Sequence, residues 1–175
     1  MKAEGRRQKA DGATVIIALG SNLGAARHNI ERAIEHLRGL SDQPLLKSSL
    51  WETTPVDCPP GSPKFVNAVV GFEPRADETP ESLLAKLQAI EKQFGRRPRK
   101  VVNEPRVLDL DLIVFGSQKR NSPDLVLPHP RANQRRFVLQ PLGEIAPNVI
   151  LPGQTKTVAA LLKELPGAQT AGKLS

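Results

Sequence analysis

Short apolar runs and amphipathic helical segments alternate along the chain, and their order limits the folds that the chain can adopt. Strand-like runs of apolar and β-branched residues lie at 14–19, 45–52, 65–72 and 107–115. Apolar residues recur at helical spacing over residues 25–40 and 80–94, and Thr79, Pro80 and Gly95 suit the N-cap, the first position and the end of the second helix. This β-α-β-β-α-β order predicts an α+β, ferredoxin-like fold, in which helices pack on one face of a mainly antiparallel sheet.

Other segments surround this core. Residues 123–136 are loop-like, residues 137–142 are short and apolar, and residues 158–165 fit a final helix. The turn after the first strand contains Ser21 and Asn22, and either side chain could cap the first helix.

The chain has no internal repeat and no linker, so we expect one domain over residues 14–166, between a disordered basic tail at 1–13 and a loose tail at 167–175. No apolar run approaches the roughly 20 residues of a membrane helix. The first 13 residues also lack the apolar stretch of a signal peptide. The single cysteine, Cys58, cannot form an internal disulfide. Together these features predict a cytoplasmic protein without a membrane partner.

The positive charge of the chain is concentrated in two segments. The net charge is +7, of which residues 1–10 supply +3 and residues 96–106 supply +4. The first cluster fits a solvated tail. The second lies inside the fold, directly before a strand, and this position favours an anionic ligand, although a solvated basic loop is the alternative.

The run Leu108-Asp109-Leu110-Asp111-Leu112 carries the strongest chemical signal. Alternate side chains of a strand share a face, so the two aspartates point one way and the three leucines point the other way. Two such carboxylates, with phosphates and waters, suit Mg²⁺. An exposed strand face with two solvated acids is the alternative reading. The neighbouring basic segment favours a site for a metal and a polyphosphate.

Arginines of the basic segment can offer planar donor forks to phosphate oxygens. Gly95, Pro98 and Pro105 mark this segment as a loop, which could close over a bound polyphosphate. His129 lies between two prolines that fix its backbone, which suits a positioned polar contact. Taken alone, the pattern fits a histidine on a surface loop at least as well. A zinc site is excluded, since His28 and His36 lie on the first helix and no cysteine set exists.

Six motifs, in this order, resemble those of the 6-hydroxymethyl-7,8-dihydropterin pyrophosphokinases of folate biosynthesis. They are Ala18-Leu19-Gly20-Ser21-Asn22-Leu23-Gly24, Glu52-Thr53-Thr54-Pro55-Val56, Phe65-Val66-Asn67-Ala68, Pro105-Arg106-Val107-Leu108-Asp109-Leu110-Asp111-Leu112, Pro128-His129-Pro130 and Arg135-Arg136-Phe137-Val138-Leu139-Gln140-Pro141-Leu142. The resemblance covers residues 14–153, and six collinear motifs are far more specific than any single one.

This resemblance implies an ATP-dependent kinase of the transferase class, which moves the pyrophosphoryl group of ATP to the pterin hydroxymethyl oxygen and releases AMP. It also implies two magnesium ions, a ferredoxin-like fold and three long, mobile loops around the active site. The expected partners are ATP and the pterin, with no nucleic acid, and the expected state is a monomer.

The resemblance also assigns roles to individual residues. Asp109 and Asp111 would bind magnesium, and Arg96 and Arg106 would be the catalytic residues that hold the phosphates. The ATP-binding set is Gln88, Glu91, Arg96, Arg106, Leu112, His129 and Arg135. The pterin-binding set is Thr53, Val56, Phe65, Asn67 and Phe137, in which two phenylalanine rings would sandwich the pterin and polar groups would bond its edge.

The chain departs from the family in the loop before Pro105. The family often has further arginines and a tryptophan there, whereas this chain has Pro98, Val102 and Asn103. Trp51 stands where the family commonly has tyrosine. Closure of the loop and the affinity for ATP are therefore expected to differ.

Two other functional classes fit parts of the sequence. An RNA-binding module would suit the fold and the basic charge, but it needs an exposed aromatic pattern that this chain lacks. A two-metal nuclease could use the aspartate pair, but it would need more acidic ligands where the sequence offers arginines.

Overall fold

The strand-like runs of the sequence form strands that join into one main sheet. The structure, a computed structural model, describes residues 15–98, 100–167 and 171–174, so the predicted tail at 1–13 lies outside the described residues. The strands are β1 (Val15–Ser21), β2 (Leu46–Lys47), β3 (Trp51–Thr53), β4 (Phe65–Phe72), β5 (Asp109–Phe115), β6 (Arg120–Asn121), β7 (Val126–Leu127) and β8 (Ala171–Lys173). The helices are α1 (Ala26–Arg38), α2 (Pro80–Gln93), α3 (Arg136–Ile145) and α4 (Val158–Glu164), with a 3₁₀ turn at Ala132–Gln134.

The main sheet has the strand order β5-β1-β4-β3-β8, with β2 beside β4. All of its strand pairs are antiparallel. Strands β6 and β7 form a separate hairpin. The prediction of an α+β fold with a mainly antiparallel sheet is therefore confirmed.

The two helices of the predicted pattern, α1 and α2, pack on one face of the sheet as expected, and α3 and α4 cover the other face. Alternate residues of β1 enter two separate cores because successive strand side chains point to opposite faces. Ile17 and Leu19 pack in the core that contains apolar residues of α1 and α2. Ile16 and Ala18 pack in a second core with apolar residues of α3 and α4. The candidate site lies on this second face.

The ends of the first two helices follow the sequence only in part. Helix α2 begins with a capping box between Thr79 and Ser82, and Gly95, with φ of +90°, follows its last turn as predicted. Neither Ser21 nor Asn22 caps α1, whose N-cap is Ala25 without a side-chain hydrogen bond. That capping prediction is therefore wrong.

Three further segments differ from the prediction. The run at 45–52 is split into β2 and β3, because the Ser48 hydroxyl accepts from the Val69 backbone N–H where a strand carbonyl would do so. Residues 137–142 belong to α3, whose apolar side packs on the second core in spite of Pro141. Residues 171–173 form β8 against β3, so this part of the predicted loose tail is ordered in the sheet.

Within the described residues, no helix is both long enough and apolar enough to cross a bilayer.

We expect Glu78→Gln to destabilise the fold in a pH-dependent way. Burial opposes the charge of Glu78, but hydrogen bonds from Lys86 and Ser82, each 2.6 Å long, lower the pKa of its carboxyl below the usual value. A lowered folded-state pKa stabilises the fold above the unfolded-state pKa, and this contribution is lost as the pH falls through the folded-state value. Urea unfolding should show a loss of about 1–2 kcal/mol at pH 7 that shrinks below about pH 4.5. An equal loss at pH 3 and pH 7 would contradict this account.

Candidate active site

Strand register brings the polar motifs together at one end of the sheet. Gly20, near the end of β1, pairs with Asn67 of β4 on one side and with Asp109 of β5 on the other side. Ala18 pairs with Asp111 in the same way. A cavity of about 470 Å³ opens over these residues, within the usual size range of small-molecule sites.

Side chains from the strand ends, three loops and the start of α3 line the cavity. The lining residues are Ala18, Leu19, Gly20, Thr54, Val56, Asp57, Cys58, Phe65, Asn67, Asn103, Glu104, Arg106, Asp109, Asp111, Arg131, Gln134, Arg135 and Phe137. The structure thus brings eight of the predicted site residues to one cavity, namely Val56, Phe65, Asn67, Arg106, Asp109, Asp111, Arg135 and Phe137.

Asp109 is the centre of an ion-pair network. Arg96 donates to its Oδ1 and Arg106 donates to its Oδ2, each over 2.9 Å. Arg96 also donates to Glu91, a buried side chain that accepts from the backbone N–H of Leu110 over 2.9 Å. The network joins α2, the basic loop and β5, and it places Arg106 in the cavity wall with Arg96 behind Asp109.

Burial and mutual repulsion oppose negative charge at this end. Burial, reinforced by the neighbouring Asp109, raises the pKa of Asp111 to about 7, although Arg135 and Arg106 act in the opposite direction. Burial also raises the pKa of Glu91. A cation between the aspartates would remove much of this penalty, because opposite charge favours the ionised form.

The other end of the cavity is aromatic and amide-lined. Phe65 and Phe137 both border it, and the guanidinium of Arg135 lies 5.3 Å from the centre of the Phe137 ring. The buried Asn67 amide accepts from the Thr53 hydroxyl and donates to the Leu19 carbonyl over 3.2 Å. A carboxamide can donate two hydrogen bonds and accept two, so these contacts leave capacity for a ligand.

Gly20 makes room for these groups. A Cβ atom there would come within 3.1 Å of Asn67 Nδ2 and 3.5 Å of a Phe65 ring carbon. The side chains of β4 therefore occupy the space above β1 that any larger residue would fill.

His129 lies beside the charged end, where its surroundings favour the neutral imidazole at pH 7. Burial, followed by the nearby Arg135 and Arg131, lowers the pKa of its imidazole, with Asp109 opposing. Its Nδ1 accepts from the Arg131 backbone N–H over 3.3 Å, which leaves Nε2 as the protonated nitrogen. The backbone N–H of His129 donates to the Ile113 carbonyl over 2.8 Å and fixes the loop against β5.

The remaining predicted residues do not line the cavity. Thr53, Arg96 and Glu91 lie behind it, in contact with Asn67 or Asp109 as described above. Gln88 is exposed on α2. The Leu112 side chain is buried in the first core, on the face opposite Asp111, so a contact of Leu112 with ATP would have to come from its backbone.

Several lining residues were not predicted to belong to the site. The sequence assigns no site role to Gly20, Thr54, Gln134 or Asn103. Gly20 could have been found, because a glycine inside a strand often marks a close approach of other groups. The others are loop residues, whose positions depend on long-range contacts.

Among the described residues, Asp109 and Asp111 are the two carboxylates that β5 presents to the cavity. In the part of the chain that the structure describes, no three His, Cys, Asp or Glu side chains cluster as a metal cage would require. A cation here would therefore need ligands from water and from a bound substrate, as Mg²⁺ in phosphate-transfer sites typically does.

The region that forms the cavity is similar to a known protein family. A family model described as 7,8-dihydro-6-hydroxymethylpterin-pyrophosphokinase (HPPK) matches residues 16–147. The chain belongs to this family. The matched region contains every residue that lines the cavity.

Curated relatives within the HPPK family are similar over most of the chain. A 2-amino-4-hydroxy-6-hydroxymethyldihydropteridine pyrophosphokinase of Synechocystis is 35% identical, covering 91% of this chain and 84% of the relative. The protein of the same name from Pseudomonas aeruginosa is 40% identical, covering 79% of this chain and 83% of the relative. The folic acid synthesis protein fol1 of Pneumocystis carinii is 37% identical over 89% of this chain, which spans only 20% of that larger protein.

Solved structures of HPPK-DHPS proteins share the fold. The wild-type protein of Plasmodium falciparum, solved with SDX-DHP, aligns with a TM-score of 0.67 at 13% identity, covering 86% of this chain and 44% of that chain. An HPPK-DHPS in complex with substrates aligns with a TM-score of 0.65 at 11% identity, covering 87% of this chain and 43% of that chain.

We expect Asp111→Asn and Asp109→Asn to change the stability of the metal-free protein in opposite directions at pH 8. The raised pKa of Asp111 means that its charged form destabilises the fold, increasingly as the pH rises from about 4 to about 7. Asparagine removes this charge, so the melting temperature should rise. Asp109→Asn leaves Arg96 and Arg106 without their shared carboxylate, so the melting temperature should fall. Calorimetry in EDTA measures both, and a fall for Asp111→Asn would contradict the assignment.

Proposed function

We propose that this HPPK-family chain is a 2-amino-4-hydroxy-6-hydroxymethyldihydropteridine diphosphokinase, which transfers pyrophosphate from ATP to 6-hydroxymethyl-7,8-dihydropterin and releases AMP in folate biosynthesis. The observation that carries the proposal is the cavity itself, which joins a carboxylate and arginine end to an aromatic and amide end. Two substrates of these opposite characters would meet in the middle of one cavity.

The charged end suits a polyphosphate with two magnesium ions. Asp109 and Asp111 share the cavity face of β5. A carboxylate oxygen has two lone pairs, so it can accept a hydrogen bond from an arginine and bind a cation at the same time. Asp109 and Asp111 would hold the magnesium, which would supply positive charge to offset that of the phosphate oxygens. The unfavourable ionisation of Asp111 fits this role, because a cation would offset it.

Arg96, Arg106 and Arg135 would hold the phosphate chain. The first two are already oriented by Asp109, and Arg135 lines the cavity at the start of α3. The neutral His129 would donate from Nε2 to a phosphate oxygen. Glu91 would act from behind by holding Arg96, which is a different role from the direct contact with ATP that the resemblance implies.

The aromatic end suits a planar heterocycle. Phe65 and Phe137 would contact the two faces of the pterin ring, because flat apolar surfaces stack well on aromatic rings. The Asn67 amide, held by Thr53, would pair with the polar edge of the ring, and Val56 would contribute from its loop.

The reaction would need positioning and charge neutralisation more than a protein base. The pterin hydroxymethyl oxygen would attack the β-phosphorus of ATP, the bond from that phosphorus to the α,β-bridging oxygen would break, and the hydroxyl proton would be released as AMP leaves. Arg96 and Arg106 would stabilise the charge that develops on the transferred group and on the leaving oxygen. We expect the chain to act as a cytoplasmic monomer, since one chain supplies all the proposed groups.

Product analysis tests the function directly. With ATP, magnesium and the hydroxymethyl pterin, we expect one AMP and one pterin diphosphate per turnover, resolved by ion-exchange chromatography. Without the pterin, AMP should be absent. Equal AMP formation with and without pterin, or formation of ADP, would sink the proposal.

Replacing either aspartate tests the charged end. Asp109→Ala and Asp111→Ala should each lower kcat by at least about 100-fold while pterin affinity, measured by fluorescence titration, stays within about threefold, because β1 lies between the aspartates of β5 and Asn67 of β4. Asp57→Ala is the control, since this lining residue has no proposed role with metal. Near-normal turnover in both aspartate variants would remove them from the mechanism.

Replacing Gly20 tests the aromatic end. In Gly20→Ala the new Cβ would press on Asn67 and Phe65, so we expect pterin affinity to fall about tenfold. Gly143→Ala is the matched control, because its Cβ would meet the Leu162 side chain on α4 at an ordinary 3.5 Å. Unchanged pterin affinity in Gly20→Ala would show that the pterin does not bind over β1.

A further inference from the structure

The Asn22 side chain is buried at the base of the cavity and does not line it. Only 3% of Asn22 is exposed, and the residue lies in the turn between β1 and α1. The sequence suggested a helix cap for this residue, but α1 begins at Ala26 without help from Asn22. The contacts of its carboxamide therefore need another explanation.

Asn22 pairs with the backbone of Arg106. Its Oδ1 accepts from the Arg106 N–H over 2.8 Å, and its own backbone N–H donates to the Arg106 carbonyl over 3.0 Å. These two hydrogen bonds fix both polar groups of one peptide residue. The Arg106 side chain in turn donates a hydrogen bond to Asp109, which lies three residues further along the chain.

The same carboxamide also reaches the loop on the other side of the cavity. Asn22 Nδ2 donates to the Pro63 carbonyl over 3.2 Å. Pro63 lies two residues before Phe65, where β4 begins. The Asn22 side chain thus contacts two segments. One leads into Phe65, which we propose to contact the pterin, and the other is the backbone of Arg106, which we propose to hold phosphate.

A purely structural role would concern the turn alone. The turn is already held by Asn29, whose Nδ2 donates to the Leu23 carbonyl over 3.2 Å and lies 3.4 Å from the Ser21 hydroxyl. The Asn22 carboxamide makes both of its hydrogen bonds to segments more than 40 residues away. It therefore sets the spacing of those two segments.

We propose that Asn22 is a positioning residue, which fixes Arg106 relative to Phe65 and so sets the distance between the phosphate and pterin ends of the cavity. This inference rests on the proposed function. The phosphorus under attack and the attacking oxygen must meet within a fraction of an ångström of the productive geometry, and a misplacement of about 1 Å can cost about 100-fold in rate.

Two substitutions separate the two contacts. Asn22→Ala removes both side-chain hydrogen bonds, so kcat should fall by about tenfold to 100-fold and the KM for pterin should rise. Asn22→Asp keeps the acceptor for the Arg106 N–H but replaces the donor to Pro63. Because the link to Pro63 is lost, the distance between the two ends is no longer fixed, so its kcat should also fall, although less than in Asn22→Ala, and its KM for pterin should rise as in Asn22→Ala.

Ser41→Ala is the control for stability. The Ser41 hydroxyl also joins two distant segments, donating to the Glu73 carbonyl over 2.8 Å and accepting from the Gln43 N–H over 3.1 Å. It lies beyond the other end of β4, away from the cavity. Its variant should lose melting temperature as Asn22→Ala does and keep kcat and KM.

Steady-state kinetics and melting curves of the full chain decide the inference. Retention of kcat and KM in Asn22→Ala would overturn it, as would an equal loss of kcat in Asn22→Asp and Asn22→Ala. If Asn22→Ala does not fold, the fall in kcat and the rise in the KM for pterin in Asn22→Asp decide alone. Absence of pterin-dependent AMP from the wild-type chain would overturn the proposed function and this inference with it.

Discussion

A charge network connects α2, the basic loop and β5 at the cavity. It consists of Glu91, Arg96, Asp109 and Arg106. Each carboxylate lies between donors and each arginine lies next to a carboxylate, so that buried charge is compensated from α2 across to β5. Buried ion pairs contribute little net stability, because desolvation offsets their attraction. The gain is orientation. The Arg106 guanidinium is held in the cavity wall beside Asp109, and Arg96 is held directly behind that carboxylate.

One face of the sheet is covered by a core along its length, and the other face carries both a core and the cavity. The odd-numbered residues of β1 and the leucines of β5 fill one core, while the opposite face carries the second core at one end and the cavity at the other. The strand alternation that buries Leu110 and Leu112 therefore also exposes Asp109 and Asp111 to the cavity. This arrangement has a cost, because it places a carboxylate with a raised pKa where the fold alone would prefer an apolar residue.

Local patterns in the sequence predicted the elements that depend on local chemistry. The Thr79 N-cap of α2, the glycine that follows this helix and the two-faced alternation of β5 are all confirmed in the structure. Helix α3 was missed because its apolar run is short and contains Pro141, and because packing on the second core stabilises it. Strand β8 was missed since its three residues gain stability only from pairing with β3.

The candidate site shows the same division. Residues on strands, such as Asn67 and the aspartates, could be assigned to faces from alternation together with motif order, and the structure places them in the wall of one cavity. Residues that act through the backbone of a distant loop could not. The pairing of Asn22 with Arg106 spans 84 residues, and the hydrogen bond from the Leu110 backbone N–H to the Glu91 carboxylate spans 19 residues. No local pattern encodes either contact.

The account depends most directly on a divalent cation held by Asp109 and Asp111 against a nucleotide polyphosphate. Mn²⁺, which is paramagnetic and prefers the same oxygen ligands as Mg²⁺, reports this binding by electron paramagnetic resonance. With a non-hydrolysable ATP analogue and the pterin present, we predict two bound Mn²⁺ ions per wild-type chain and a loss of at least one in the Asp109→Asn, Asp111→Asn double variant. The same number of bound ions, with the same affinity, in both proteins would contradict the central claim.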